Sequence, residues 1–308
     1  MAETLFILLI FPGIAFQLVS SWLFEWLDRK FQALFQRRVG PRWFQPLADM
    51  LKLFSKEDIL PLGTNEFAAA VLPLTSIAAV LTAGIYVPIA GFSPASFEGD
   101  LIVILFLLSF PTFTYYLAGI ISMGVYNDLG AGRALLQFFS YEVPLLIALS
   151  GPAVMAGSWM IQEISSSQMR FGPFALFQPL GFILAIVGLI GKLKRNPLDI
   201  PKAKSEVVAG ALTEFTGLKL ALWNLVMDIQ AVVGIFLLVN LYFGRSLFTV
   251  PLLDILVFIL LSILIVIILS TASAVFVRLR IDQLAGLGWK VLVPLALLQF
   301  LVVIFMGV

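Results

Sequence analysis

Long apolar stretches alternate with shorter polar ones along the whole chain. A bilayer core about 30 Å thick needs about 20 mostly apolar residues per helix, and runs near that length occur at eight places. The eight predicted spans are 4–24, 67–91, 101–122, 134–157, 174–191, 220–243, 252–277 and 291–307. The pattern therefore predicts an all-α, polytopic integral membrane protein with about eight transmembrane helices, forming a single membrane domain over residues 1–308.

Two of the segments between predicted spans, 25–66 and 192–219, are long and charged. Most of the 19 Lys and Arg residues lie in the first, third, fifth and seventh of these segments. By the positive-inside rule these segments face the cytoplasm, which places the N- and C-termini on the outer side. We therefore expect a multi-pass protein of the plasma membrane whose function is concentrated in two long cytoplasmic loops.

The first of these loops carries an amphipathic pattern. Apolar residues recur there at three- and four-residue steps, with charged residues on the other face. The apolar positions are Trp43, Phe44, Leu47, Met50, Leu51 and Phe54, and the charged ones are Asp49, Lys52 and Lys56. This pattern predicts an amphipathic interfacial helix. It fits a helix that only lies among lipid headgroups as well as one that docks a partner.

The composition limits the chemistry that the chain can perform alone. Hydrophobic residues make up 61% and charged residues 12%, and both Cys and His are absent. Because Cys and His supply nearly all protein ligands of haem, iron–sulfur clusters, copper and zinc, we expect no metal site and no redox cofactor bound by this chain alone. No Walker loop, GxGxxG turn or nucleophile elbow occurs in a convincing context, so we expect no catalytic residue of its own. A formal net charge of +1 gives no argument for nucleic-acid binding.

Acidic residues inside predicted spans are candidates for function, because an ionisable group at membrane depth costs at least about 2.5 kcal/mol. Glu142 and Asp228 lie deep in the fourth and sixth spans, whereas Asp254 is close enough to the end of the seventh to reach water. Glu142 and Asp228 are therefore candidates for a proton or ion path.

The second long loop has helical character between Pro201 and Gly217. Four residues are predicted to share one face of that helix: Glu206, Gly210, Thr213 and Glu214. Carboxylates two turns apart, beside Glu142 on a neighbouring span, could pass protons or hold a cation. An ion-pair network is the alternative, because Lys202 and Glu206 are four residues apart.

Four motifs carry a resemblance to a known family. They are LDRKFQALFQRRVGPRWFQPLADMLKLFSKEDILP (27–61), RALLQFFSYEVPL (133–145), RNPLDIPKAKSEVVAGALTEFTGLKLAL (195–222) and VRLRIDQLAGLGWKVLVPLAL (277–297). Together they resemble the H-subunit family of respiratory complex I, whose mitochondrial member is called subunit 1. The resemblance covers essentially the whole chain. It implies an eight-helix protein at the junction between a peripheral electron-transfer arm and antiporter-like pumping modules.

The resemblance also implies roles for individual residues. In this family the motif acids line a polar path from the junction into the membrane, and the matching positions here are Asp28, Glu142, Asp199, Glu206 and Glu214. The first long loop is expected to face the peripheral arm. Its candidate contact residues are Arg37, Arg38, Gly40, Pro41, Arg42, Gln45, Asp49, Lys52, Lys56 and Glu57.

Two departures from the family pattern indicate a branch. The segment Gly40–Pro46 is shorter than in quinone-reducing members, and the short form is similar to the small M-type membrane subunit of membrane-bound hydrogenases and sulfane sulfur reductases. In the second loop, Lys202 and Lys204 stand where the family usually has acids. With Arg195, these lysines change the local charge and favour deprotonated neighbours, or tie Glu206 into a fixed pair.

The leading hypothesis is a membrane protein that couples a peripheral redox module to H⁺ or Na⁺ translocation in a hydrogenase-type or sulfur-reductase-type complex. It implies iron–sulfur and hydrogenase-like peripheral partners, antiporter-like membrane partners and lipid. A nickel–iron or related centre and iron–sulfur clusters are then expected in the partners. The alternatives are a quinone-site component of NADH:quinone oxidoreductase, a stand-alone ion transporter, and a passive anchor whose acids only shape the loops.

Overall fold

The computed structural model describes residues 6, 8–93, 95–244 and 251–306, without the side chains of Lys204, Ser205, Pro251 and Met306. This part of the chain is helical and contains no β-strand. Its longer α-helices are α1 (Ile14–Phe35), α2 (Gln45–Ser55), α3 (Glu66–Tyr86), α4 (Asp100–Ile121), α5 (Val125–Ala156), α6 (Ile161–Phe171), α7 (Pro179–Lys192), α8 (Gly217–Tyr242), α9 (Pro251–Val275), α10 (Ile281–Leu287) and α11 (Val293–Met306). Short helical turns cover Phe174–Phe177, Ile200–Lys202, Lys204–Val207 and Gly210–Leu212, and the π-helical stretch Gly288–Leu292 joins α10 to α11.

Six helical segments within the described residues are long and apolar enough to cross a membrane. They are α3, α4, α5, α8, residues 252–275 of α9, and the run from α10 into α11, and each overlaps a predicted span. The shorter apolar helix α7 lies in the fifth predicted span. Residues 4, 5 and 7 of the first predicted span and residue 307 of the last lie outside the described residues. The prediction of an all-α, polytopic membrane protein is confirmed.

Three helices continue beyond the boundaries of the predicted spans, one at its C-terminal end and two at their N-terminal ends. Helix α1 continues to Phe35, α5 begins at Val125, and the last helical run begins at Ile281. Each extension carries charged residues that looked like loop in the sequence. Within the protein these stretches still bury residues, such as Gly130 and Ala131 in α5, so packing extends the helices beyond the apolar cores.

One helix was missed by the prediction from sequence, and the expected exposure of one residue was wrong. Helix α6 was not predicted, because its Ser-rich sequence lacks a long apolar run, yet it buries Ile161 and Ile164 in the core. Asp254, expected to reach water, is only 3% exposed in the first turn of α9. Interior packing therefore reaches further towards that end of the bundle than the hydropathy pattern indicated.

Helix α8 forms the centre of the helix bundle. In its most apolar window 72% of residues are buried, against 33% for α3 and α9 and 28% for the last helical run. It packs against α1, α3 and α9 as well as α6. The weakly buried helices expose broad apolar surfaces, as expected for helices that face lipid or other membrane proteins.

We call residues 36–65, which contain α2, the first loop, and residues 193–216 the second loop. Helix α2 confirms the predicted amphipathic helix: Leu47, Leu51 and Phe54 are exposed, whereas Asp49 is half-buried and faces α1. Pro46 lies at the start of α2, where its missing N–H costs no helical hydrogen bond. Helix α2 packs against α1 and α8.

The predicted helix between Pro201 and Gly217 does not form. Val208 and Gly210 have φ values of +59° and +68°, which interrupt any continuous helix there. Gly210 also lies against Gly130 of α5, so closely that a Cβ on Gly130 would meet the Gly210 Cα at 2.5 Å. Close packing on α5 therefore overrides local helix propensity, and the four residues predicted to share one helix face do not do so.

Candidate functional site

A cavity of about 480 Å³ opens at the end of the bundle that carries the first and second loops. Residues of α1, α2, α8, the second loop and the segment around the end of α9 line it. Half of its lining residues are charged: Glu25, Asp28, Arg29, Asp49, Lys194, Arg195, Asp199, Lys202, Asp228 and Arg278. We call this space the polar cavity. Five of these side chains are basic and five are acidic.

Arg195 anchors the second loop in the polar cavity. Its Nη1 lies 2.7 Å from Asp28 Oδ2 and its Nη2 lies 3.3 Å from Glu25 Oε2, both on α1. Asp28 also accepts hydrogen bonds from Gln32 Nε2 at 3.0 Å and from Ser270 Oγ of α9 at 2.6 Å. The Asp28 carboxylate is therefore buried but well compensated, as a buried charge must be.

A second bridge joins α1 to α2 at the cavity mouth. Arg29 contacts Glu25 on its own helix and Asp49 on α2, each at 2.7 Å. Burial works to raise the pKa of Asp49, but hydrogen bonds from Arg29 and Gln45 outweigh it and lower that pKa below its ordinary value. Asp49 thus remains charged and holds the amphipathic helix against the bundle.

Two lysines of the second loop have lowered proton affinity. Burial lowers the pKa of Lys202 to about 8, with the Asp228 carboxylate working against the shift. Burial, together with the Lys202 and Lys192 ammonium groups, lowers the pKa of Lys194 to about 7, and Glu142 opposes this only partly. Lys194 Nζ lies 4.8 Å over the Tyr115 ring. Both lysines can therefore change charge near neutral pH.

Glu142 lies deeper, in a buried ion pair. Its Oε1 is 2.8 Å from Lys192 Nζ at the end of α7, and it accepts a hydrogen bond from Ser109 of α4. Lys192 Nζ also donates to Ser109 Oγ at 3.0 Å. Lys192 and Glu142 are 2% and 5% exposed. The three side chains form a buried polar cluster, in which Glu142 Oε2 has no hydrogen-bond partner among the described residues.

Two other ion pairs fasten the second loop to its surroundings. The two carboxylate oxygens of Asp199 accept hydrogen bonds from Nε and Nη2 of Arg278, and the Nε–Oδ1 distance is 2.5 Å. Glu206 pairs with Arg133 of α5. The expected alternative, an ion pair between Lys202 and Glu206, is therefore not formed. Lys202 instead lines the cavity, with its Nζ 2.6 Å from Met227 Sδ.

The structure brings only some of the predicted site residues together. Asp28, Asp199 and Asp228 line the polar cavity with Arg195 and Lys202. Glu142 is buried beyond it, while Glu206 and Glu214 lie in the second loop away from its lining. The Lys204 side chain lies outside the described part of the structure.

Five charged residues of the site were missed by the sequence interpretation: Glu25, Arg29, Lys192, Lys194 and Arg278. Glu25 lies three residues before Asp28 and four residues before Arg29. This helical spacing could have indicated that the three side chains share a face. Lys192 and Lys194 looked like loop charges at the end of an apolar run. Glu142, the ion-pair partner of Lys192, is distant in sequence, so no local signal identified these lysines.

The expected contact residues of the first loop lie mostly at the surface. Arg37, Arg38, Arg42, Lys52, Lys56 and Glu57 are exposed, and Gly40, Pro41, Gln45 and Asp49 are half-buried. Trp26 Nε1 donates to the Pro41 carbonyl at 3.2 Å, which holds the turn between α1 and α2 against α1. The loop therefore presents a set of cations beside the cavity mouth.

Metal binding finds no support in the described residues, where no group of three or more acidic side chains is arranged to hold an ion. The arrangement offers a charged cavity, two buried lysines whose lowered pKa values lie near neutral pH and a buried carboxylate–ammonium pair. Such groups can store and move charge.

The sequence model of the NADH dehydrogenase family matches residues 7–304. The chain belongs to this family. Among its relatives, the H subunit of NADH-quinone oxidoreductase from Dehalococcoides mccartyi is 33% identical over 298 residues, covering 94% of this chain and 83% of the relative. The H subunit numbered 2 from Syntrophobacter fumaroxidans is 34% identical, covering 94% and 93%. The resemblance to the H-subunit family is thereby confirmed.

A solved structure extends the comparison. The membrane-bound sulfane sulfur reductase, an archaeal respiratory membrane complex, contains a chain that matches with a TM-score of 0.86 and 27% identity, covering 98% of both chains. This protein is therefore an H-type membrane subunit of the kind found in complex-I-related respiratory complexes, and its partners are those of a multi-subunit membrane complex.

Proposed function

We propose that this H-type subunit couples a peripheral redox module to H⁺ or Na⁺ movement through neighbouring membrane subunits, in a complex of the sulfur-reductase or hydrogenase type. The observation that supports this most is that charged groups line the polar cavity at the loop end and occur again in the buried Glu142–Lys192 pair inside the bundle. Charged groups at such depth cost free energy, so their presence calls for a structural or functional reason.

The path residues in this proposal are Asp28, Asp199 and Asp228 in the cavity and Glu142 beyond it. Lys202 and Arg195 set the local charge. Glu206 and Glu214 are weaker candidates, because Glu206 is tied to Arg133 at the surface and neither lines the cavity. A change of charge in the peripheral arm would alter the electrostatic potential first in the cavity and then at the buried pair.

The peripheral arm is proposed to dock on the first loop. The first loop has three exposed cations beside the cavity mouth: Arg37, Arg38 and Arg42. These cations fit an acidic partner surface. In this assembly the loops face the cytoplasm and both termini face outward across the plasma membrane. Iron–sulfur clusters and a nickel–iron or related centre belong to the peripheral subunits, and antiporter-like subunits adjoin the weakly buried helices.

The sulfur-reductase branch is favoured over quinone reduction by the lining of the cavity. A quinone ring and tail need a largely apolar slot with few polar groups, whereas half of the residues that line this cavity are charged. The names of the curated relatives favour the second candidate, a quinone-site component of NADH:quinone oxidoreductase. Substrate assays separate the two.

The experiment is to purify the native complex through a tag on this chain, identify its subunits by mass spectrometry and measure nickel and iron. Reduction of polysulfide, H₂ evolution and quinone reduction are then compared on the same preparation, with ion movement followed in proteoliposomes. Polysulfide reduction, or H₂ evolution with nickel present, supports the proposal. Quinone-dependent turnover supports the second candidate, and a solitary chain that moves ions alone contradicts both.

A charge-reversal variant tests the docking surface in the same preparation. Arg42→Glu is expected to reduce recovery of the peripheral subunits with the tagged chain. Lys290→Glu is the matched control, because Lys290 is exposed on a different helix away from the first loop. Equal recovery with both variants would contradict docking on the first loop.

A further inference from the structure

A second cavity, of about 440 Å³, lies beside the second loop, next to α5 and the start of α10. We call it the side cavity. Its charged lining residues include Arg133, Glu206, Arg280 and Asp282. The side chains of Arg280 and Asp282 are 79% and 74% exposed, so the side cavity is open to solvent. The mouth of the polar cavity lies elsewhere, between α1 and α2.

Arg278 is the one described residue that lines both cavities. Its guanidinium donates to both carboxylate oxygens of Asp199, which lines the polar cavity, and the Nε–Oδ1 distance is 2.5 Å. Within the described part of the chain, the Arg278 side chain donates hydrogen bonds to Asp199 alone. The Arg278–Asp199 pair therefore stands in the wall between the two cavities.

The backbone on either side of this pair is held by bonds that do not involve it. Leu279 N donates to the Pro197 carbonyl at 3.1 Å, which ties the segment after α9 to the second loop. Asn196 Nδ2 donates to the carbonyls of Ser273 and Phe276, both at 2.8 Å. The Arg278 side chain can therefore rotate while the backbone of the wall stays in place.

A second carboxylate is available to Arg278 in the side cavity. Glu206 lines the side cavity together with Arg278, and its side chain is 54% exposed. Glu206 already accepts a hydrogen bond from Arg133, but a carboxylate has about four acceptor positions. Arg278 can thus exchange Asp199 for Glu206 by rotation about its side-chain bonds.

This exchange needs little free energy. The Arg278 and Asp199 side chains are 30% and 20% exposed, and ion pairs that reach solvent contribute little to stability. The guanidinium has a carboxylate partner in both arrangements. When Arg278 leaves, Asp199 still faces other basic side chains of the polar cavity, among them Lys202 and Arg195.

We propose that Arg278 gates a second entrance to the polar cavity, which leads from solvent at the loop end through the side cavity. With Arg278 on Asp199 the entrance is closed, and with Arg278 on Glu206 the two cavities form one passage. Three basic and two acidic side chains line the side cavity, so the passage suits water and small ions and excludes apolar molecules.

This inference rests on the proposed function. A peripheral arm docked on the first loop covers the mouth between α1 and α2. The side entrance then remains as the route by which the polar cavity exchanges water and ions with the surrounding solvent. Arg278 is thus a positioning residue that controls access to the cavity.

Thiol labelling measures this access. The chain contains no cysteine, so one introduced thiol can be followed in it even when partner subunits contain thiols. Met227→Cys places that thiol in the polar cavity. The intact complex, purified through a tag on this chain, is treated with a small membrane-impermeant methanethiosulfonate. Mass spectrometry of this chain then gives the labelling rate.

The labelling rate follows the fraction of time for which the entrance is open. Arg278→Ala, in the Met227→Cys background, removes the closing side chain and should raise the rate about five- to tenfold. Arg278→Lys keeps the charge but cannot bind both Asp199 oxygens, so it should raise the rate by less. Arg280→Ala is the matched control, because Arg280 lines the same cavity but pairs with Asp282. It should label at the wild-type rate.

Two results would overturn the gate. One is equal labelling of the wild type and both Arg278 variants, and the other is an equal rise in Arg280→Ala. If Arg278→Ala does not assemble, Arg278→Lys and Glu206→Gln decide the test. Glu206→Gln removes the carboxylate of the open arrangement and should slow labelling, whereas Glu163→Gln, at an exposed position of α6, should not.

Cryo-electron microscopy of an Asp199→Asn complex tests the exchange without reference to the first-loop mouth. The Arg278 guanidinium is expected to contact Glu206, with an open passage between the two cavities. A guanidinium that stays at position 199 overturns the proposal.

Neither measurement requires turnover, which separates this inference from the function on which it rests. A complex that labels as expected but reduces no substrate or moves no ions contradicts the proposed function alone. A tagged chain recovered without peripheral subunits also contradicts that function, and the position of Arg278 in the Asp199→Asn structure still decides the gate.

Discussion

Arg195 and Asp28 form a buried ion pair, with Nη1 and Oδ2 2.7 Å apart, that fastens the second loop to α1. Because Ser270 Oγ donates to the other Asp28 oxygen at 2.6 Å, one carboxylate joins α1, α9 and the second loop. Three of the elements that line the polar cavity therefore share a single charged anchor. Loss of that anchor should loosen the cavity as a whole.

Arg195→Met is expected to destabilise the protein by about 3–5 kcal/mol, because it leaves the Asp28 carboxylate buried without its cation. Thermal unfolding of the purified complex and limited proteolysis of the second loop measure the effect. Arg280→Met is the control, since Arg280 and its partner Asp282 are exposed and 3.4 Å apart. Equal stability of the two variants would show that the pair is not an anchor.

A pair of glycines in α5 offers a second comparison. A Cβ on Gly130 would meet the backbone of Gly210 and Ala211 at 2.5–2.6 Å, whereas a Cβ on Gly132 would meet nothing within 4 Å. Gly130→Ala should cost about 1–3 kcal/mol by pushing the second loop off α5. Gly132→Ala should be neutral or stabilising by up to about 1 kcal/mol.

Hydrogen exchange provides the measurement for these two variants. Faster exchange confined to residues 200–212 is expected for Gly130→Ala, with wild-type exchange for Gly132→Ala. If both variants exchange like the wild type, the close approach of α5 to the second loop does not hold that loop in place.

Much of the fold could be predicted from the hydrophobic pattern, because membrane spans must be long and apolar in any context. The pattern failed where charged residues lie inside helices. Glu25, Asp28 and Arg29 were assigned to a loop, yet they belong to α1, since that face is turned to the polar cavity and not to lipid. Hydropathy alone does not distinguish these two surroundings.

The candidate site was predictable only in part. Motif resemblance identified acids that line the cavity, such as Asp28 and Asp199, and the deeper Glu142. It gave no partner for any of them, because Arg195 and Asp28 are 167 positions apart and Lys192 and Glu142 are 50 apart. Which cation meets which acid is decided by helix packing, and that information is not local in the sequence.

The Glu142–Lys192 pair can be tested by a double-mutant cycle on thermal unfolding of the complex. Glu142→Gln and Lys192→Met should each cost about 3–5 kcal/mol, because each leaves the other residue buried without its partner. The double variant should cost less than the sum, with a coupling of up to about 3 kcal/mol. Additive costs would mean that the two side chains do not interact as the structure indicates.

The surface pair of Asp58 and Lys219 serves as the matched control for this cycle. Their side chains are 2.6 Å apart, but the Asp58 side chain is 31% exposed. Solvent screening should limit the coupling between them to about 1 kcal/mol or less. A coupling as large as that of the buried pair would show that depth in the bundle is not the deciding factor.

The lowered pKa of Lys194 predicts a pH dependence of stability. In the folded protein this pKa is about 7, whereas the ordinary value of 10.5 applies when the chain is unfolded. Between these values the unfolded state binds the proton and the folded state does not. Stability therefore rises with pH across this window, and the destabilising effect of Lys194 is fully present below about pH 7.

Lys194→Met should accordingly be more stable than the wild type near pH 7, by an amount on the order of several kcal/mol, and this advantage should shrink towards about pH 10. Unfolding of both complexes at several pH values gives the difference, in which the contributions of Lys202 and the other titrating groups largely cancel. Lys290→Met, which removes an exposed lysine, should show no such trend. A constant difference between Lys194→Met and the wild type would mean that Lys194 keeps its ordinary proton affinity, and that its charge is compensated by water in the cavity.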